Sequence, residues 1–78
     1  MSKRRDRDLL GDIQEATRRI TAYTADMTYE AFLADEKTQD AVIRNLEIMG
    51  EAAKNLSVET RLSYPNIPWK NMLASATD

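Results

Sequence analysis

The sequence predicts an all-α fold from three observations. Apolar residues recur at helical spacing through the first third of the chain, a second long run keeps helical spacing without a proline, and apolar and polar residues nowhere alternate as in a half-buried strand. The expectation is an antiparallel helical bundle. It has two long helices at about 6–24 and 36–56 with short helices around them, in one domain over residues 1–78.

In the first helix Leu9, Ile13, Ala16, Ile20 and Tyr23 are spaced 4, 3, 4 and 3 apart, a narrow amphipathic stripe. Asp6 or Asp8 suits the positive end of its dipole, and Arg18 and Arg19 are placed in its last turns, where cations are favoured. Thr28 then caps a short turn that groups Tyr29, Phe32 and Leu33, a lid over the ends of the long helices.

The second long helix carries Val42, Leu46, Met49, Ala53 and Leu56 on one strip, with Ala41, Ile48 and Ala52 along one edge and Ile43 on the other. Such a wide apolar arc contacts more than one neighbour. Gly50 within it costs about 1 kcal/mol against Ala, so either a close backbone approach or simple tolerance explains it. Ser57 is an N-cap for a helix from Val58 to about Leu62. The Tyr64-Pro65-Asn66-Ile67-Pro68 segment then leaves the helical region, because proline disfavours α geometry in the residue before it. Pro68 opens a last helix through Trp69 to Leu73 as its first residue.

Composition narrows the chemistry. The 78 residues contain no Cys and no His, which removes disulfides, thiolate and imidazole metal ligands, and every nucleophilic arrangement built on His. A chain this short buries only about 60% of its unfolded surface, so oligomerisation is the remaining way to reinforce its core. With 42% hydrophobic and 31% charged residues it reads as globular, and no apolar run approaches a transmembrane span or a signal-peptide core, which places it in the cytoplasm. The Asn55-Leu56-Ser57 sequon is therefore read as a chance match.

Several residues invite a functional reading. Lys3, Arg4, Arg5 and Arg7 suit phosphates, but Asp6 and Asp8 interleave with them and the net charge is −2, so a solvated end is preferred. Asp6, Asp8, Asp12 and Glu15 lack the loop and glycine of a calcium site, and no metal or cofactor is expected. Arg44, Glu47 and Glu51 share one face opposite the apolar strip, where a solvent-exposed ion pair is the plain reading. Asn45 lies beside the apolar arc and needs a partner, either a hydrogen bond to a neighbouring helix or a place lining a cleft. Tyr23, Tyr29, Tyr64 and Trp69 read as core caps with a wet polar tip rather than as platforms for stacked bases.

Four runs carry a resemblance: Arg7-Asp8-Leu9-Leu10-Gly11-Asp12-Ile13, Tyr29-Glu30-Ala31-Phe32-Leu33, Ala41 through Lys54, and Ile67-Pro68-Trp69-Lys70. In this order, over nearly the whole chain, they resemble the HepT family of small HEPN-domain proteins. The Arg44-Asn45-Leu46-Glu47-Ile48-Met49-Gly50-Glu51-Ala52 run is the most specific. The resemblance implies a ribonuclease toxin held in check by an MntA-like nucleotidyltransferase antitoxin that modifies an active-site Tyr. In that family an Arg, a short spacer, a His, one residue and a Tyr form the active site on a C-terminal helix, and two chains assemble an RNA cleft.

This chain departs from the pattern at that point. After Met72 it reads Leu73-Ala74-Ser75-Ala76-Thr77-Asp78, no Arg follows Arg61, Tyr64 precedes the Pro-Trp segment, and no His is present. None of the family's catalytic residues carries over. The resemblance then implies a HEPN-like antiparallel bundle with its C-terminal helix missing, truncated before the motif and inactive on its own, with RNA as substrate only for a full-length relative. The alternative is a non-catalytic module for dimerisation or antitoxin binding. Arg44, Asn45, Glu47, Gly50 and Glu51 are the candidates for cleft or interface roles. Val42, Leu46, Met49 and Ala53 form the face expected to be exposed and to drive a homodimer or higher oligomer.

Overall fold

The computed structural model describes residues 3–74, with side chains from Arg5 onward. The expectations for Lys3 and Arg4 side chains and for residues 75–78 therefore lie outside the described residues. Five helices follow one another: α1 (Lys3–Thr24), α2 (Tyr29–Leu33), α3 (Glu36–Asn55), α4 (Val58–Ser63) and α5 (Trp69–Leu73). No strand occurs among the described residues, so the all-α expectation holds. The body is elongated, 42 × 23 × 20 Å.

The main packing joins α1 and α3 as antiparallel neighbours: Asp6 near the start of α1 meets Ser57 beyond the end of α3, while Thr17 Oγ1 lies 3.9 Å from Met49 Sδ. Their buried seam consists of Ile13 and Ala16 on α1 and Ala52, Ala53 and Leu56 at the end of α3. The centre of burial on α3 is rotated from the expected strip toward the Asn45 and Ala52 edge. Small side chains explain the rotation, because Ala16, Ala52 and Ala53 let two helix backbones approach, whereas Leu46 stays 39% exposed.

The expected exposed face is accordingly smaller. Ala53 is fully buried, Val42 and Met49 are half-buried, and α5 packs against α3 with Trp69, Met72 and Leu73 against the core. The five-residue α5 does this because its Trp is anchored: Trp69 Nε1 donates to the carbonyls of Arg61 at 2.9 Å and Tyr64 at 3.0 Å. Pro68 occupies the N-cap of α5 rather than its first helical position.

The joints between helices follow local capping rules. Thr28 accepts from Ala31 N at 3.0 Å to start α2, and Asp35 accepts from Thr38 N at 3.0 Å to start α3. Gln39 Nε2 donates to the carbonyls of Phe32 and Leu33, both at 2.8 Å, fixing the α2–α3 corner. Asp26 takes a positive φ of 61° in the turn after α1, a conformation that Asp tolerates better than most residues.

One expectation for α1 is corrected and one is extended. α1 ends at Thr24 as expected, but its last turn holds no basic residue, so Arg18 and Arg19 do not serve the helix end. Instead Arg18 grips both carboxylate oxygens of Glu15 at 3.0 and 2.7 Å, and Arg19 Nε adds a third bond at 2.9 Å. These bonds, Arg18 first, pull the Glu15 carboxyl down to about 2. Asp6 does lie in the first turn of α1, and it is also buried. It accepts from Ser57 Oγ at 2.7 Å, from Ser57 N at 3.2 Å and from the Thr60 hydroxyl.

Candidate functional site

The α1/α3 pair leaves an open polar groove along one side. Its main part, about 270 Å³, is lined by Leu9 and Asp12 from α1 and by Arg44, Glu47, Ile48, Glu51, Ala52 and Asn55 from α3. A second hollow of about 190 Å³ shares Asp12 and Ile48 with it and adds Glu15, Ala16, Arg19 and Asn45. Residues at i, i+3 and i+7 of α3 (Arg44, Glu47, Glu51) project on one edge of the helix, and α1 runs beside that edge. The structure thus sets these three against α1, not on the side remote from the packing.

Arg44 Nη1 stands 4.0 Å from Glu47 Oε1, with the arginine side chain 72% exposed. An ion pair that long and that wet contributes little to stability, and the guanidinium stands exposed at the groove. Asn45 is 5% exposed and donates from Nδ2 to the Ala41 carbonyl at 2.8 Å, one turn back on its own helix. The expected bond to a neighbouring helix is replaced by this local one, and the side chain also borders the second hollow. Gly50 is buried on the opposite flank of α3, about a quarter turn or more from Glu51. The five candidates therefore divide: Arg44, Glu47 and Glu51 in the groove, Asn45 at its inner edge, and Gly50 away from it.

Chemically the groove offers carboxylates, guanidiniums and amides. It contains no imidazole or thiol, so no side chain type in it ordinarily titrates near neutrality. Such a lining orients polar ligands or protein segments; it has no nucleophile paired with a base. Among the described residues no His/Cys/Asp/Glu group is arranged to hold a metal ion.

Sequence reasoning missed the other members of the groove. Leu9, Asp12, Arg19 and Asn55 line it, and the only signal for Asp12 is its place at the edge of the α1 stripe, three residues after Leu9. It also missed the Asp6 cluster. Ser57 was legible as a cap, and it does accept from Thr60 N at 3.1 Å, but its partner 51 residues away leaves no local trace. The aromatic expectation holds for Trp69 alone: Tyr23, Tyr29 and Tyr64 are 43%, 72% and 47% exposed.

Comparison with known proteins places the chain. The model of the Ribonuclease HepT-like family matches residues 13–75. This chain belongs to the HepT-like ribonuclease family. It is 50% identical over 72 residues to a Methanocaldococcus jannaschii protein provisionally named an RNase, a match covering 92% of this chain and 60% of that protein. It is 49% identical over 70 residues to the Probable ribonuclease HepT of Thermococcus cleftensis, covering 90% of this chain and 64% of that one. A second M. jannaschii protein with a provisional RNase name is 40% identical over 73 residues. The chain thus spans somewhat under two thirds of the length of the first two HepT-like relatives. No solved structure matches it. Among the described residues no helix is long and apolar enough to cross a membrane.

Proposed function

We propose that the chain acts within an RNA-cleaving toxin system, as the helical framework of a HepT-like ribonuclease, and that these 78 residues alone do not cleave RNA. Membership of the HepT-like family supports the first part. The absence of His from all 78 residues carries the second: phosphodiester cleavage needs a group that moves a proton and one that stabilises phosphate charge, and the groove supplies guanidiniums for the latter without an imidazole for the former. A nucleotidyltransferase antitoxin of the MntA type is the proposed partner, in the cytoplasm. RNA incubated with the purified chain is expected to stay intact at the level of a no-protein control. Cleavage above that control, retained through repurification and abolished by Arg44→Ala, overturns the proposal.

A second reading, an interaction module that self-associates as a homodimer or higher oligomer, is favoured by a specific observation. The described core has no large side chain below 2% exposure, while eight large hydrophobic residues remain exposed. The oligomeric state in solution distinguishes it, with a monomer at micromolar concentration counting against it.

A further inference from the structure

The chain contains no Cys, so its sulfur belongs to methionine alone. The three described methionines occupy different surroundings. Met27 lies in the segment between α1 and α2, outside the core cluster. Met49 on α3 and Met72 on α5 both pack against that cluster, and both are half-buried rather than sealed in it. They line one hollow of about 230 Å³ where α5 meets α3, together with Leu46, Pro68 and Asn71. Leu46, Pro68 and Asn71 are exposed, so the hollow opens to solvent. A small oxidant therefore reaches both sulfurs at the place where α5 closes on α3.

That junction has little to offer an oxidised sulfur. A sulfoxide puts a polar acceptor on a side chain that was apolar. Among the residues lining the hollow, only Asn71 carries a side-chain donor. Thr17 Oγ1, 3.9 Å from Met49 Sδ, already donates to the Ile13 carbonyl at 2.9 Å. Two sulfoxide oxygens thus face one amide, and an acceptor buried without a partner is costly. Turning the side chains to water removes that cost, and α5 is the element that yields. Its five residues are too few to persist as a helix alone, and Trp69, Met72 and Leu73 are what seat it on the core. The two indole hydrogen bonds reach Arg61 and Tyr64, so they tie α5 to α4 and do not oppose its release from α3.

We propose that Met49 and Met72 form a redox-sensitive latch: a peroxide converts the thioethers to sulfoxides, and α5 lets go of α3 and uncovers Leu46 and Met49. In each step the peroxide O–O bond breaks and an S–O bond forms. Sulfur loses two electrons to the peroxide, one oxygen stays on sulfur, and the other leaves as water. The reverse step belongs to methionine sulfoxide reductases, one enzyme for each sulfoxide epimer. They return the sulfoxide oxygen as water while two thiols are oxidised to a disulfide. The latch is independent of the RNA reading above and uses no residue of the α1/α3 groove.

Titration of the 78-residue chain with hydrogen peroxide tests this. Peptide mass mapping assigns oxygen uptake to each methionine. Emission from Trp69, the one Trp of the chain, reports the seating of α5. The Met72 and Ala74 amides, bonded to the Pro68 and Lys70 carbonyls, report its hydrogen bonds by exchange. Sulfoxide at Met49 and Met72 is expected to shift Trp69 emission to the red and to speed exchange of both amides roughly tenfold or more. It should also lower Tm by about 5 °C. Treatment with both sulfoxide reductases reverses all three changes. Met49→Leu with Met72→Leu nearly conserves core volume and should abolish the response, whereas Met27→Leu leaves it intact. Sulfoxide at Met49 and Met72 with emission and α5 exchange unchanged overturns the proposal. So does a response that survives in the double leucine variant, or oxidation that spares both Met49 and Met72.

Discussion

The end of the molecule around Asp6 and the end around α2 are held together by different physics. At the Asp6 end a buried carboxylate from α1 accepts hydrogen bonds from Ser57 and Thr60, more than fifty residues away, and Trp69 ties α4 and α5 over the small-residue core. At the α2 end the hydrogen bonds between elements are local: Thr28 with Ala31, Asp35 with Thr38, and Gln39 with Phe32 and Leu33. A five-residue helix is too short to persist by itself, and α2 buries none of its residues fully. The difference teaches how so small a chain keeps its shape, with closure concentrated at one end and the other end held by local caps.

Trp69→Ala should break that contrast most severely. It removes packing against the core and both indole hydrogen bonds, so a loss of about 3 kcal/mol is expected, at the lower end for a large aromatic because the residue is half-buried. Denaturant unfolding measures it, and a change under 1 kcal/mol means that α5 does not close the core. Asp6→Ala comes next. It leaves three donors without their acceptor, and a fall in Tm on the order of 5 °C is expected for a domain of this size, with α4 loosening first.

Acid separates the same carboxylate by its titration. The Thr60 and Ser57 hydrogen bonds hold the Asp6 carboxyl below its ordinary value of 3.8, outweighing its partial burial. The folded state therefore binds this proton less readily than the unfolded one. The resulting stabilisation is complete above the unfolded pKa and fades as pH drops below about 4 toward the lower folded value. Asp35 and Glu15 titrate in the same direction, so Asp6→Ala should flatten the acid limb of a Tm–pH curve in part. An unchanged limb would show that the Asp6 cluster adds nothing.

Smaller effects calibrate the rest. Gly11→Ala sits mid-helix, where an added Cβ meets no atom within 4 Å, and should stabilise by about 0.5–1 kcal/mol through helix propensity. Thr28→Ala removes only the α2 cap and should cost about 0.5–1 kcal/mol locally, visible as faster exchange in α2 with little change in global Tm.

Much of the fold was legible because its signals are local. The 4-3-4-3 stripe of α1, the proline-free run of α3, and the caps Thr28 and Ser57 all act within one turn, and all appear where the spacing places them. The helix face actually buried was less legible. Apolar size marks Leu46 as core, but close packing of two backbones selects Ala52 and Ala53. The candidate site was half visible: Arg44, Glu47 and Glu51 share an edge by spacing, whereas the α1 residues that complete the groove depend on how the two helices are aligned. The Asp6 cluster was invisible, since neither Asp6 nor Ser57 advertises the other.

Amide hydrogen exchange tests the contrast between the ends most directly. The Ser57 amide, bonded to Asp6, should be protected at the level of Ala52 and Ala53, while Phe32 and Ala34 in and after α2 should exchange faster by on the order of a hundredfold. In Asp6→Ala the Ser57 protection should collapse and the α2 rates should stay as they were. Protection of α2 equal to that of Ala53, or a Ser57 amide indifferent to loss of the Asp6 carboxylate, would contradict the account.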